Sequence, residues 1–277
     1  MTNGRDEHIL LETANLFVSS GLPGNDRLLL REVSLTLREQ EVLVVLGETG
    51  SGKTILCRSL TGLFPPGSPI RTGGSVRFEG RELLGLTGRE MSSIRRRKIR
   101  YVFQDPVQSL NPLARIGAQM RLASDTPKDK GLLHDTLGLV GLDTRGGVLE
   151  RYPHELSTGM AQRVCIAMAV IARPRLLIAD EPTSAVDASH RRRILELLMM
   201  IQQSQGMALI LITHDLDVAR RYGDRIIVMH GGELVETAER RTFFETPRHP
   251  YSRLLVEAHT AIHSHTGPRT PRPGDTA

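Results

Sequence analysis

Residues 47–54 read GETGSGKT and follow directly on the apolar run EVLVVL at 41–46. This stretch satisfies the spacing G-x-x-x-x-G-K-[ST], which marks a phosphate-binding loop where it joins a strand to a helix. Gly47, Gly50 and Gly52 let the backbone turn tightly, so that loop N–H groups and the helix N-terminus surround an anion. The candidate nucleotide contacts are therefore Gly47, Glu48, Thr49, Gly50, Ser51, Gly52, Lys53 and Thr54. Lys53 supplies positive charge to the terminal phosphates, and the Thr54 hydroxyl is placed to ligate Mg²⁺, which prefers oxygen ligands. The alternative, a glycine turn with only a structural role, leaves the lysine and threonine at these fixed positions without a reason.

Working outward, four short Val-, Ile- and Leu-rich runs, EVLVVLG, RLLIAD, MALILIT and RIIVMH, are bounded by Gly, Asp or charged residues. Runs of that length and composition are expected of strands buried on both faces of a parallel sheet. Between them, residues 53–62, 160–172 and 188–204 repeat apolar positions at three- and four-residue intervals and predict helices. The alternation means an α/β fold. Residues 105–155 show helical periods and no convincing strand, which predicts a mostly helical insertion projecting from the sheet. The final HTGPRTPRPGDTA is rich in Pro, Thr and Gly, and is expected to be a disordered tail.

Composition adds limits rather than a function. The chain has 277 residues, 39% hydrophobic and 24% charged, ordinary values for a globular protein. Its formal charge of +5 suits phosphate ligands, nucleic acid or anionic lipid, and equally plain solubility. Two cysteines, Cys57 and Cys165, form no CxxC pair, so neither a disulfide framework nor a zinc site is indicated and a reducing cytosol fits. The start, MTNGRDEHILLETANL, is too interrupted by charge for a signal peptide, and the longest apolar runs fall short of the about 18 residues a membrane span needs. Any membrane link is expected to run through a partner.

The run LLIADE at 176–181 ends in two acids, which would emerge at the carboxyl end of a strand, where open α/β sheets place ligands. Successive side chains of a strand point in opposite directions, so Asp180 can serve Mg²⁺ while Glu181 acts as general base toward water. A solvated turn is the bland reading of the same acids. MALILIT ends at Thr213, His214 and Asp215, and His214 could donate to a γ-phosphate or to the attacking water, or simply be structural. Gln104, after KIRYVF, can touch both metal and water just before the helical insertion.

In this order the pieces resemble the nucleotide-binding subunit of an ATP-binding cassette (ABC) transporter, over roughly residues 9–257. The resemblance implies a P-loop NTPase of the α/β class, with a mainly parallel sheet, an antiparallel β N-terminal part and a helical subdomain at about 105–158, followed by a flexible tail at 258–277. ELSTGMAQRV at 155–164 is similar to the family signature LSGGQ. In that family two subunits pair head to tail, so Ser157, Thr158, Gly159, Met160 and Gln162 would face the partner's ATP. A helix N-terminus there favours negative charge. The resemblance further makes Gln104 the Q-loop glutamine, another ligand of Mg²⁺ beside Thr54 and Asp180, and makes Ala185, Val186 and Asp187 the D-loop and His214 the switch histidine. ATP and Mg²⁺ are the implied cofactors. The implied partners are a second cassette subunit, related or identical, integral membrane permease subunits and, indirectly, an extracytoplasmic substrate-binding protein, with the chain peripheral on the cytoplasmic face of a bacterial inner membrane.

VFQDPVQSLNP, YPHELSTGMAQRV and RHPYSRLLVEAH narrow the likeness to subunits importing peptides, nickel and metal-chelate complexes. Peptide importers of that group commonly carry a cysteine cluster after the HPY motif, whereas no cysteine follows Tyr251. Nickel or a metal chelate is accordingly the expected cargo, with di- or oligopeptides the alternative. Two departures from the pattern stand out. Thr158 replaces a glycine, and Ser19 and Ser20 occupy the place of an adenine-stacking aromatic, leaving Phe17 as a substitute. A soluble cassette ATPase acting on nucleic acid could claim the basic run RRRKIR at 95–100, but a solvated basic face explains it and no nucleic-acid partner is expected. A small-molecule P-loop kinase leaves the signature and His214 unexplained. His259, His263 and His265 could bind a transition metal, although flexible histidines usually bind nothing specific.

Overall fold

The computed structural model describes residues 8–21, 26–65, 67–143 and 146–264. In chain order the elements are β1 (Ile9–Ser20), β2 (Arg27–Arg38), β3 (Val42–Leu46), α1 (Lys53–Thr61), β4 (Ile70–Phe78), β5 (Arg81–Glu82), α2 (Gly88–Arg97) and β6 (Ile99–Val102). There follow α3 (Pro106–Ser109), α4 (Ile116–Ala123), α5 (Lys130–Leu139), α6 (Thr158–Val170), β7 (Leu176–Asp180) and α7 (Ala188–Gln205). The chain continues through β8 (Ala208–Ile212), α8 (Leu216–Tyr222), β9 (Arg225–His230), β10 (Glu233–Glu239), α9 (Arg240–Glu245) and α10 (Pro250–Ser264).

Six strands form the central sheet in the order β10-β9-β3-β8-β7-β6, parallel except for the β9–β10 hairpin. All residues of β3, β7 and β8 are buried, because the sheet is covered on both faces. Alternate side chains feed two separate cores. Val42, Val44, Leu46, Leu177, Ala179, Leu209 and Leu211 pack with α6, α7 and the helical insertion. Leu43, Val45, Leu176, Ile178 and Ile210 pack with α1 and the second sheet. That second sheet is antiparallel, in the order β2-β1-β4-β5.

At one end of β3 a buried ion pair joins the layers. Arg225 Nε lies 2.8 Å from Glu41 Oε1, and the guanidinium also donates to the Thr36 carbonyl of β2. The other Glu41 oxygen accepts the Arg38 N–H at 2.7 Å.

The insertion between β6 and α6 contains α3, α4 and α5, and Ile116, Met120, Leu133 and Leu137 carry its apolar faces into the core. At the C-terminus α10 crosses the boundary expected at 257/258, so residues 258–264 are helical rather than tail, while 265–277 lie outside the described residues. His259, expected on that tail, packs instead at 13% exposure with Nε2 at 2.9 Å from Asp217 Oδ1. His265 and the side chain of His263 fall outside what is described.

Candidate nucleotide-hydrolysis site

β3 delivers the chain into the loop 47–52, and α1 begins at Lys53. The glycines are required by close approach. A Cβ on Gly47 would sit 2.4 Å from the Met229 carbonyl oxygen, and one on Gly52, where φ is +104°, would meet Leu30 Cδ2 at 2.9 Å. Lys53 is buried, and its Nζ donates to the carbonyls of Gly47 at 2.7 Å and Glu48 at 2.8 Å, curling the loop around the ammonium. Burial lowers the Lys53 pKa, against the opposing pull of Glu181, Asp180 and Glu48.

The strand-end acids converge on the same loop. Asp180 is 4% exposed; its Oδ1 accepts from Thr54 Oγ1 at 3.3 Å and its Oδ2 from the Tyr101 hydroxyl at 2.7 Å. Burial raises its pKa, while the Tyr101 and Thr54 hydrogen bonds act to hold it down. Burial also pushes the Tyr101 phenol far up, so it stays a donor. Tyr101 was not a sequence candidate: it reaches Asp180 only because β6 pairs with β7 in parallel, a pairing no local pattern reveals.

Glu181 turns away from Asp180 with φ at +44°, a left-handed conformation that a non-glycine residue adopts at a cost of order 1–3 kcal/mol and that recurs at functional sites. Its Oε2 accepts from Gln104 Nε2 at 3.3 Å, and its Oε1 lies 3.6 Å from His214 Nδ1. One carboxylate from β7 thus stands between a glutamine following β6 and a histidine following β8. Thr54 and Asp180 offer hard oxygen atoms beside the loop, a donor set that fits Mg²⁺ completed by phosphate and water.

The remaining candidates lie on α6 and before α7. Ser157 caps α6, its Oγ accepting the Met160 N–H at 3.3 Å, and Ser157 and Thr158 are exposed with Gly159 and Met160 half-buried. Gln162 departs from the expectation: it is 0% exposed, its amide has no hydrogen-bond partner among the described residues, and it cannot present its side chain at that surface. One turn beyond the cap, it sits on the helix face packed inward. Ala185 is exposed, Val186 is buried, and Asp187 accepts the His190 N–H at 3.1 Å at the start of α7. Phe17 is 40% exposed with its ring edge against Gly73, and residues 22–25 beyond it lie outside the described residues. RRRKIR is largely spent internally: Arg95 donates to the Thr61 carbonyl at 3.0 Å, Arg96 to that of Ser124 at 3.3 Å and Arg100 to that of Ala123, and Lys98 pairs with Glu79.

A glycine loop between strand and helix, paired acids on the neighbouring strand and a helical insertion carrying a capped serine define a P-loop nucleotide hydrolase of cassette type. The model of the ABC transporter family matches residues 30–184. The dipeptide transport ATP-binding protein DppD of Bacillus subtilis (strain 168) is 40% identical over 89% of this chain and 76% of its own length. The oligopeptide transport ATP-binding protein OppD of Lactococcus lactis subsp. cremoris (strain SK11) is 38% identical over 90% and 75%. Among solved structures, a dimeric ATP-binding cassette in a post-hydrolysis state bound to ADP and Pi superposes with a TM-score of 0.73 at 28% identity, covering 83% of this chain and 99% of that one. The chain belongs to the ABC transporter family and is an ATP-hydrolysing transporter cassette. Nickel, the expected cargo, finds no support, since these relatives are named for peptides. Among the described residues no helix is long and apolar enough to cross a membrane.

Proposed function

We propose that the chain is the ATP-hydrolysing subunit of a bacterial importer of dipeptides or oligopeptides, acting from the cytoplasmic face beside permease subunits that receive cargo from an extracytoplasmic binding protein. The observation that carries the cargo class is its similarity, across about nine-tenths of its length, to dipeptide and oligopeptide transport ATP-binding proteins. The test is reconstitution in vesicles with its permease. Stimulation of ATP hydrolysis by peptide-loaded binding protein supports the reading, and stimulation by nickel complexes alone overturns it.

In this reading the amides of 47–54 and Lys53 bind the terminal phosphates, and Thr54, Asp180 and Gln104 hold Mg²⁺. Bound there, Mg²⁺ would supply positive charge to offset the negative charge of the phosphates. Glu181 takes a proton from the water whose oxygen attacks the γ-phosphorus, so that ATP and water yield ADP, phosphate and a proton. Gln104 and His214 orient that carboxylate and the water. Ser157, Thr158, Gly159 and Met160 approach the ATP of a second cassette, either a related subunit or a second copy, because the capped start of α6 presents N–H groups and a favourable dipole to phosphate. The D-loop residues Ala185, Val186 and Asp187 sit at that junction.

A further inference from the structure

The segment RHPY, residues 248–251, is the part of the sequence pattern that ATP hydrolysis does not account for. Buried Glu236 of β10 fixes its start: its two carboxylate oxygens accept the N–H groups of Arg248 and His249, each at 2.9 Å. His249 Nδ1 then accepts the Tyr251 N–H at 3.2 Å, which orients the first turn of α10. From there the Tyr251 hydroxyl reaches across 203 residues of chain and accepts the N–H of Glu48 at 3.2 Å. The Glu48 carboxylate meets His230 Nδ1 at 3.3 Å, and the His230 ring packs on Tyr251 with centroids 4.2 Å apart. The Glu48 carbonyl in turn receives Lys53 Nζ at 2.8 Å. The Gly47–Glu48 peptide unit is thus gripped on its N–H by the C-terminal helix and on its carbonyl, that of Gly47, by the lysine at 2.7 Å.

We infer that Tyr251 is a positioning residue for the phosphate loop, through which α10 sets the conformation of Glu48 and hence the nucleotide affinity of the cassette. The inference rests on the reading of Gly47–Thr54 as the nucleotide site. Without the phenol oxygen the exposed Glu48 N–H loses its protein acceptor, and a neutral hydrogen bond is worth roughly a two- to tenfold change in equilibrium. Because Tyr251 touches the loop's entry rather than Glu181, the change falls on binding and not on the chemical step.

The test is isothermal titration of the full chain with ADP, for wild type, Tyr251→Phe and, as a control on the exposed side of the same helix, Leu254→Ala. Tyr251→Phe should raise the ADP Kd about two- to tenfold, with a melting temperature close to wild type and an unchanged control. In the assembled transporter KM for ATP should rise while kcat holds. A second measurement works in the wild type: of the four 3-fluorotyrosine resonances the chain can carry, that of Tyr251 should shift with ADP. It is assigned by Tyr251→Phe or, if that variant fails to fold, by elimination from Tyr101→Phe, Tyr152→Phe and Tyr222→Phe. An unchanged Kd, a loss of stability alone or a silent Tyr251 resonance overturns the inference. Failure of the wild type itself to bind ADP would instead sink the nucleotide-site reading.

Discussion

His214 Nδ1 lies 3.6 Å from one oxygen of Glu181, and Gln104 Nε2 lies 3.3 Å from the other. The two side chains come from opposite sides of β7, so the carboxylate stands between groups that the sheet itself holds apart. His214→Ala removes one of them without touching the phosphate loop. Hydrolysis in the assembled transporter should fall about 10²-fold while ATP affinity stays within a fewfold. Steady-state assays paired with a binding titration separate the two, and an unchanged turnover would remove His214 from the mechanism.

Lys53 is the only cation donating into the Gly47 and Glu48 carbonyls among the hydrogen bonds described. Lys53→Ala leaves the terminal phosphate charge uncompensated, and a charge-assisted contact of this kind should lower ATP affinity by about 10- to 100-fold. Calorimetric titration with ATP measures it. Wild-type affinity would contradict the role given to the lysine.

Tyr101→Phe tests Asp180 through pH. Burial raises the Asp180 pKa and the Tyr101 hydroxyl opposes that rise by donating to the ionised form, so losing the hydroxyl should move the pKa further up. In the proposed mechanism the carboxylate acts ionised, and the acid limb of the kcat/KM profile should therefore shift to higher pH. The linkage has the matching sign. A carboxyl whose folded pKa exceeds its unfolded value favours folding only as pH falls through the folded pKa, and it disfavours folding above that. The variant should thus lose stability chiefly at neutral pH and regain part of it in acid. An acid limb that stays in place would detach Tyr101 from Asp180.

Glu41 and Arg225 form a buried pair whose loss strands a cation between the two sheets. Glu41→Ala should destabilise the chain by about 3–5 kcal/mol, because an uncompensated buried charge costs far more than the pair contributes. Urea unfolding followed by circular dichroism gives the value, and a change under about 1 kcal/mol would mean that water reaches the site.

The strands that carry the site were legible because β3, β7 and β8 are buried on both faces and must be apolar throughout. β6 was not read as a strand, since it is four residues long and includes Arg100 and Tyr101, polar groups whose partners, Ala123 and Asp180, lie on other elements. The N-terminal strands were legible only through the family resemblance. The pairings of β1 shift register between Thr13 and Leu16 and between Ala14 and Phe17, around Asn15 at φ +48°, which breaks the two-residue alternation. The signature motif suggested that all its members share one surface, whereas helical geometry turns Gln162 into the core. The cargo expectation had a different weakness: it rested on the cysteine content after Tyr251, which bears on the tail, and the names of the relatives support the peptide alternative better than nickel.

Glu181 as the base is the central claim, and Glu181→Gln tests it most directly. The amide keeps the shape and can still bind water but cannot accept a proton. With Mg²⁺ and ATP, single-turnover hydrolysis should fall by roughly 10²- to 10⁴-fold while ATP binding persists, and ATP should now hold the cassette as a dimer on size-exclusion chromatography, with itself or with its related subunit. Hydrolysis at the wild-type rate, or loss of ATP binding comparable to that of Lys53→Ala, would contradict the account.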